Sequence, residues 1–370
     1  VSQQQLPLPS TSRLAGVDLA RGLAVFGMFA AHVGPDPATA GGFLGAVMQF
    51  AHGRSSALFA TLAGVSLALM TGRQQPRTSV AGRQAMARIV IRAVILLGLG
   101  TVLTMLDTPV DVIIAYYGVY FLLALPLIRL RARALAITAA TLAIAGPLAS
   151  FAIRSALEPD PSDGLVGLLL TGTYPAITWM PFVVAGMALG RVDLTSDAVR
   201  TRLALLGPAL ALLGYGGSWL ALEVFGGRQA LLAVSPDAMG QLAGESGTVG
   251  TDSPAALLVA SPHSGTPFEI AGALGVAITV VALALLAVRH VHRLLAPVIA
   301  VGAMSLTAYV GHVLAIGALG IEDLPGPSVG VLFGFILVTA LAATLWQRLF
   351  RRGPLEHLLN LATRPAQLVR

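Results

Sequence analysis

The stretch DLARGLAVFGMFAAH, residues 18–32, decides the class of fold: it is apolar enough to cross a bilayer, yet it carries Asp18, Arg21 and His32. Extended back to residue 14, it reaches about 20 residues, the length a helix needs to span the hydrocarbon core. Runs of this kind recur along all 370 residues, of which 56% are hydrophobic and only 11% charged. Mean hydropathy is +0.81. Lipid is therefore the solvent for most of the surface, and helices are the way such segments satisfy their backbone. The chain reads as an all-α polytopic integral membrane protein.

Ten spans are predicted, at about 14–33, 53–71, 86–106, 110–128, 134–153, 172–190, 202–224, 268–288, 296–318 and 329–348. All 23 basic residues are arginine, and their placement tests the count. With both termini cytoplasmic, all but four arginines fall on the inner side; Arg54, Arg154 and Arg228 fall outside and Arg21 lies within the first span. Acidic residues cluster in the opposite loops, so an even number of spans satisfies the positive-inside rule. That distribution accounts for the net charge of +6 without a nucleic-acid partner. The organisation expected is a leader over 1–12, a single transmembrane domain over 13–350 and a cytoplasmic tail over 351–370. No cleavable signal is evident, since the first apolar run follows a polar, proline-containing leader. The absence of cysteine excludes disulfides, thiolate catalysis and thiolate metal sites.

One long connection, 226–267, is rich in Gly, Ser and Pro and is too polar to form a domain of its own; a lid over a site is expected. LAGVSLALMTGR (62–73) and VAGMALGR (184–191) are faintly alike. Membrane grammar, small residues for close packing and arginine at the inner end, explains the likeness without a repeat.

The polar residues inside the spans carry the chemistry. Arg21 and His32 lie eleven residues apart, about 16 Å along one helix face. Asp18 lies one turn from Arg21 and can pair with it. Ionisable groups within spans are costly and face the interior or water, which makes them functional candidates; a neutral structural pair is the alternative for Asp18 and Arg21. His32 precedes the turn GPDP (34–37), which brings Asp36 beside it. His52, His263 and His312 fall on the same outer side, whereas His290, His292 and His357 are flanked by inner-side arginines. Imidazole serves as base or nucleophile near neutral pH. No metal is expected, because no zinc-binding spacing of histidines occurs. GRSSALF (53–59) starts a span with Arg54 at its outer end, where helix N–H groups and a guanidinium would favour an oxyanion. Trp179, between Pro175 and Pro181, and His263, Ser264 and Glu269 in SPHSGTPFE (261–269) are further acceptor-side candidates, with interfacial anchoring as the alternative for Trp179 and helix capping for Glu269.

Taken in order, RLAGVDLARGLAVFGMFAAH (13–32), GRSSALFATLAGVSLAL (53–69), YPAITWMPFVVAGMALGR (174–191) and SLTAYVGHVL (305–314) resemble the heparan-α-glucosaminide N-acetyltransferase type of membrane protein. That type belongs to a wider transmembrane acyltransferase superfamily that includes acyltransferase family 3. The resemblance implies transfer of an acyl group, usually acetyl, from cytoplasmic acetyl-CoA or another acyl-CoA to a hydroxyl or amine of an outer-side acceptor: a sugar, a glycolipid or a small molecule. Acyltransferase family 3 has an arginine, ten residues, then a histidine in its first span, which Arg21 and His32 match. The lysosomal-enzyme branch has its catalytic histidine before the second span, where His52 is nearest. His32, His52 and His312 are thus the catalytic candidates, with Arg21, Asp18 and Arg54 toward the donor and Asp36, Trp179, His263, Ser264 and Glu269 toward the acceptor. The resemblance also implies a multi-pass protein of a bacterial cytoplasmic (inner) membrane, surrounded by lipid and compatible with a homodimer. A proton-coupled transporter or flippase is the alternative reading.

Overall fold

In the computed structural model, residues 14–157, 164–234, 238–243, 247–322, 324 and 328–370 are described. These residues form helices and connections and no strand. Among the described residues, seven helices or helix pairs are long and apolar enough to cross a membrane, an eighth candidate is a pair bent by 62°, and two apolar helices are shorter. Together they fall on the ten segments expected from hydropathy. The end of the bundle that carries His32 is called the outer end below, following the arginine distribution.

Helix α1 (Ala15–Val33) runs outward. A turn at Pro37–Ala40 is capped by Asp36, whose carboxylate accepts from the N–H groups of Ala38 and Thr39 at 2.8 and 2.9 Å. Helix α2 (Gly42–Ala51) and helix α3 (Arg54–Met70) form one interrupted span, so this segment starts eleven residues earlier than hydropathy placed it. The interruption is His52–Gly53, where Gly53 adopts a φ of +69°. Helix α4 (Ser79–Thr104) returns outward and also starts early, while α5 (Ile114–Leu123) is only ten residues long. Helix α6 (Ala132–Ala156) leads to the bent pair Gly164–Thr171 and α7 (Ala176–Gly190). Helix α8 (Asp197–Ala211) continues through two π-turns to Val224.

The eighth and ninth spans part at the turn expected between them, but the ninth is itself divided. Helix α9 (Pro267–Ala303) starts at the Thr266 cap and Pro267, then loses helical geometry at Val291 (φ −125°, ψ 29°). Val291 lies within RHVHR, the polar inner-side turn. The chain then turns back outward and breaks again at Met304 (φ −132°, ψ 41°) before α10 (Ser305–Ala318). The ninth span is therefore a discontinuous helix. Helix α11 (Val329–Leu349) crosses back, capped by Ser328, and a short α12 (Pro354–Ala362) lies in the tail. That tail packs on the start of α4: Gln84 donates to the carbonyls of Gln367 and Val369, and Arg83 to that of Arg370.

Helices α1, α3, α7 and the outer half of α9 form the buried centre, whereas α4, α6, α8 and α11 turn large apolar side chains to the lipid. Two contacts fix the centre. A methyl group on Gly22 would strike the carbonyl oxygen of Val298, and one on Gly302 that of Asp18. Reciprocal backbone approach of this kind is how small residues hold membrane helices together. The same reciprocity joins Gly64 with Val183 and Gly186 with Thr61. The likeness between 62–73 and 184–191 is thus a shared packing device: both segments meet on one interface. Arg191, at the end of the second, reaches over to donate to the carbonyls of Ala68 and Arg73, at 3.1 and 2.7 Å, and to the Thr71 hydroxyl at 2.8 Å.

Candidate functional site

The first of these contacts also sets the chemistry. Gly22 and His32 are ten residues apart, as are Gly302 and His312. The discontinuous ninth span runs beside α1 in the same direction, so fixing the glycines brings the two histidines together. Nδ1 of His32 and Nε2 of His312 are 3.0 Å apart, with the ring planes within 10°. Phe29 and Tyr309 pack on the His312 ring. The protons follow from one fact. Nδ1 of His312 faces the carbonyl oxygen of Tyr309, and a carbonyl can only accept. His312 therefore donates from Nδ1, its Nε2 accepts, and His32 donates from Nδ1. The lone pair left over is on Nε2 of His32.

His32 lines a cavity of about 790 Å³ at the outer end, together with His52, His263, Asp36, Asp111, Ser56 and Tyr174. Segments remote in sequence supply this wall: the end of α1, the turn before α3, the loop before α5, the bend before α7 and the long connection. Three of the four outer histidines face the cavity directly, and His312 stands behind His32. The long connection supplies Ala243, Gly247 and Thr248 to the wall as well. It holds its shape through a small apolar cluster of Leu222, Leu231, Ala238, Val249, Ala256 and Val259. Sequence reasoning missed Asp111, Ser56 and Tyr174. Burial raises the Asp111 carboxyl above its ordinary range, partly offset by a hydrogen bond from Thr173. A lone acid in an outer loop carries no signal of this in the sequence.

His52 is held differently from His32. Its Nδ1–H donates to the Met48 carbonyl at 2.9 Å. Arg54, two residues on, donates from Nε to the Tyr215 hydroxyl at 3.0 Å and from Nη1 to the Gln49 carbonyl at 2.9 Å, and its guanidinium lies 4.9 Å from the Tyr215 ring centre. Glu269 is buried in the same corner, beside His52 and Arg54, with its own N–H donating to the capping Thr266 hydroxyl. Arg54 is therefore an outer-end group. It does not join Arg21, which sits half a helix lower, donating to Asp18 at 2.7 Å and to the Ser66 hydroxyl at 2.8 Å.

Trp179 is fully buried behind the cavity wall, between Tyr174, Phe182 and His263. Its indole stacks on the His263 ring, with centroids 5.7 Å apart. Burial, with the nearby His52 ring and Arg54 charge, pushes His263 down to about 4. That side chain is held in a left-handed backbone turn, φ 62°. Ser264 points into a small recess behind it, shared with Arg154 and Thr178. Among the described residues no three His, Asp or Glu side chains converge to hold a metal ion.

At the inner end a second cavity, about 310 Å³, lies among Leu14, Leu69, Gly72, Arg73, Asp193 and Thr195. Between the two cavities α3 is tightly packed, with Ala57, Ala60, Leu62 and Val65 buried.

Comparison with known families agrees with this geometry. Residues 254–365 match the family described as Protein of unknown function (DUF418), which covers α9 to α12. No curated protein matches the chain. Residues 13–219, more than half of the chain and including His32, His52 and the packing interface of α3 with α7, match the family described as Heparan-alpha-glucosaminide N-acetyltransferase, catalytic. The chain belongs to that family, as a multi-pass, acetyltransferase-type membrane protein.

Proposed function

We propose that this protein transfers an acetyl group from cytoplasmic acetyl-CoA to an amine or hydroxyl presented in the outer cavity, with His32 as general base. The observation that carries this reading is the chain Tyr309 carbonyl, His312, His32, which leaves a basic nitrogen on a side chain lining a cavity large enough for a sugar. His32 takes the proton of the attacking amine or hydroxyl on Nε2 and later returns it to the departing thiolate. His312 accepts from the opposite nitrogen, so it holds the ring orientation and the tautomer.

His52 and Arg54 suit a different role. The Arg54 guanidinium, which lies in the same corner as His52, suits stabilisation of an oxyanion forming nearby. His52, whose Nδ1–H is already given to the Met48 carbonyl, then serves to orient the acceptor through Nε2. Asp36 and Asp111 give the cavity wall acceptors for hydroxyl groups. Ser264 and Glu269, with Trp179 behind His263, shape the acceptor side. Asp18 and Arg21, locked to each other and to Ser66, hold α1 against α3 on the donor side. A fixed pair of this kind does not favour the transporter reading, which needs a pair that opens.

The test is release of free CoA from acetyl-CoA by purified protein in lipid nanodiscs, with glucosamine, chitobiose and lipid extract of the source cells offered as acceptors. Acceptor-dependent release is expected. Absence of CoA binding at any pH from 5 to 9 (about one unit beyond the range in which imidazole titrates) would remove the proposal.

A further inference from the structure

Arg88, Arg92 and Arg352 stand near one another at the inner side of the bundle. Arg88 and Arg92 are one helical turn apart on α4 and share a face. Arg352 arrives from the turn between α11 and α12, and α12 packs against α4. Arg92 is within electrostatic reach of both others. Among the described residues none of the three side chains makes an ion pair or a hydrogen bond, and Nε of Arg92 is buried with no partner. Two other interior arginines are held by the fold: Arg21 gives Nη1 to Asp18 and Nη2 to Ser66, and Arg191 gives both Nη groups to oxygens while its Nε stays unpartnered. A charge within a span that lacks a counter-charge is costly, and three like charges add to the cost. The nearest tail carboxylate is committed elsewhere: Glu356 accepts from the N–H groups of Leu306 and Thr307, at 2.8 and 3.2 Å, and from the Thr307 hydroxyl at 2.6 Å.

What lies beside the cluster adds a shape. An apolar groove of about 540 Å³ runs between α10 and α11 from Met304 and Thr307 up to His312. Gly353, the neighbour of Arg352, sits against Met304 and Thr307 at its foot. Basic groups at the foot and an imidazole above suit a molecule with a phosphate end and a thin arm.

We propose that Arg88, Arg92 and Arg352 form a binding site for phosphate groups. This rests on the acetyl-CoA reading in one respect: the occupant is then the nucleotide end of the donor. An anionic phospholipid headgroup offers the same chemistry, and the experiment separates the two.

Coenzyme A binding is measured by calorimetry on protein in neutral phosphatidylcholine nanodiscs, and retention of phosphatidylglycerol by native mass spectrometry. Arg92→Gln and Arg352→Gln are each expected to weaken coenzyme A binding about tenfold, the worth of one charge-assisted hydrogen bond. Arg92→Lys keeps most of the affinity, and Arg133→Gln, an exposed arginine outside the cluster, changes nothing. If phosphatidylglycerol retention falls in the cluster variants while coenzyme A binding holds, the site stands as a lipid-phosphate site and the donor assignment falls. Wild-type binding of both in the Arg92→Gln and Arg352→Gln variants overturns the proposal, as does loss of coenzyme A binding from Arg73→Gln alone. Should Arg92→Gln fail to fold, Arg352→Gln, in an exposed turn, decides the matter. No turnover enters this readout, so coenzyme A bound at the cluster without any acetyl transfer would count against the enzymatic reading only.

Discussion

The two ends of the bundle handle polar groups in opposite ways. At the outer end, side chains from five separate segments converge on one cavity of about 790 Å³, and their hydrogen bonds leave acceptor nitrogens on His32 and His52, both of which line it. At the inner end, Arg191 gives Nη1 and Nη2 to carbonyl and hydroxyl oxygens, whereas among the described residues the side chains of Arg88, Arg92 and Arg352 are gathered with no partner. The contrast separates scaffold from site. A buried cation that the fold itself completes is structural; one left incomplete, or a base left with a free lone pair, is available to a ligand.

The contrast can be broken first where both ends depend on it. Gly302→Leu drives a side chain into the Asp18 carbonyl and separates α1 from the ninth span. Loss of more than about 4 kcal/mol of stability, or no folded protein, is expected, read as the yield of monodisperse protein in detergent. Arg191→Leu strips the oxygens of Ala68, Thr71 and Arg73 of their donor. It should destabilise by about 3 kcal/mol without changing coenzyme A affinity in whatever fraction folds. A large affinity change there would place the donor at the 310 Å³ inner cavity instead.

Two further substitutions sharpen the outer end. His312→Phe keeps the ring and its packing on Phe29 but removes the acceptor for His32. Transfer should fall about 10–100-fold, the usual cost of losing a partner that orients a histidine, with donor binding intact. A merely structural His312 would instead lower the melting temperature and leave the rate of the folded protein unchanged. The smallest effect concerns acid stability. His263 has its ordinary pKa of 6.5 in the unfolded chain and about 4 in the fold. Between these values the unfolded chain binds a proton that the native state refuses, so stability falls as pH drops from 6.5 toward 4. His263→Gln should flatten that fall in a melting-temperature series and leave values above pH 7 unchanged (about half a unit above the window).

Much of this was legible in the sequence, for identifiable reasons. Hydropathy locates spans because the bilayer penalises every polar side chain alike. Arginine sidedness put His32, His52, His263 and His312 on one side before any contact was known. What hydropathy does not register is a backbone break inside an apolar run: Met304 sits in such a run, so the ninth span read as one helix, whereas the break at Val291 falls in the polar RHVHR turn expected between the eighth and ninth spans. Nor does it show which loop residues turn inward, and Asp111 and Tyr174 were therefore missed. Arg88 and Arg92 looked like ordinary inner-side decoration because sidedness counts arginines without showing whether a partner meets them.

The most direct measurement compares His32→Ala with His52→Ala in acetyl-CoA turnover, with coenzyme A affinity determined on the same preparations. The account predicts that His32→Ala lowers transfer by about 10²–10⁴-fold, the range for loss of a general base, while coenzyme A still binds, and that His52→Ala retains measurable pH-dependent turnover. Full activity in His32→Ala, or abolition of turnover by His52→Ala with His32→Ala nearly unaffected, would contradict it and move the base to the turn before α3.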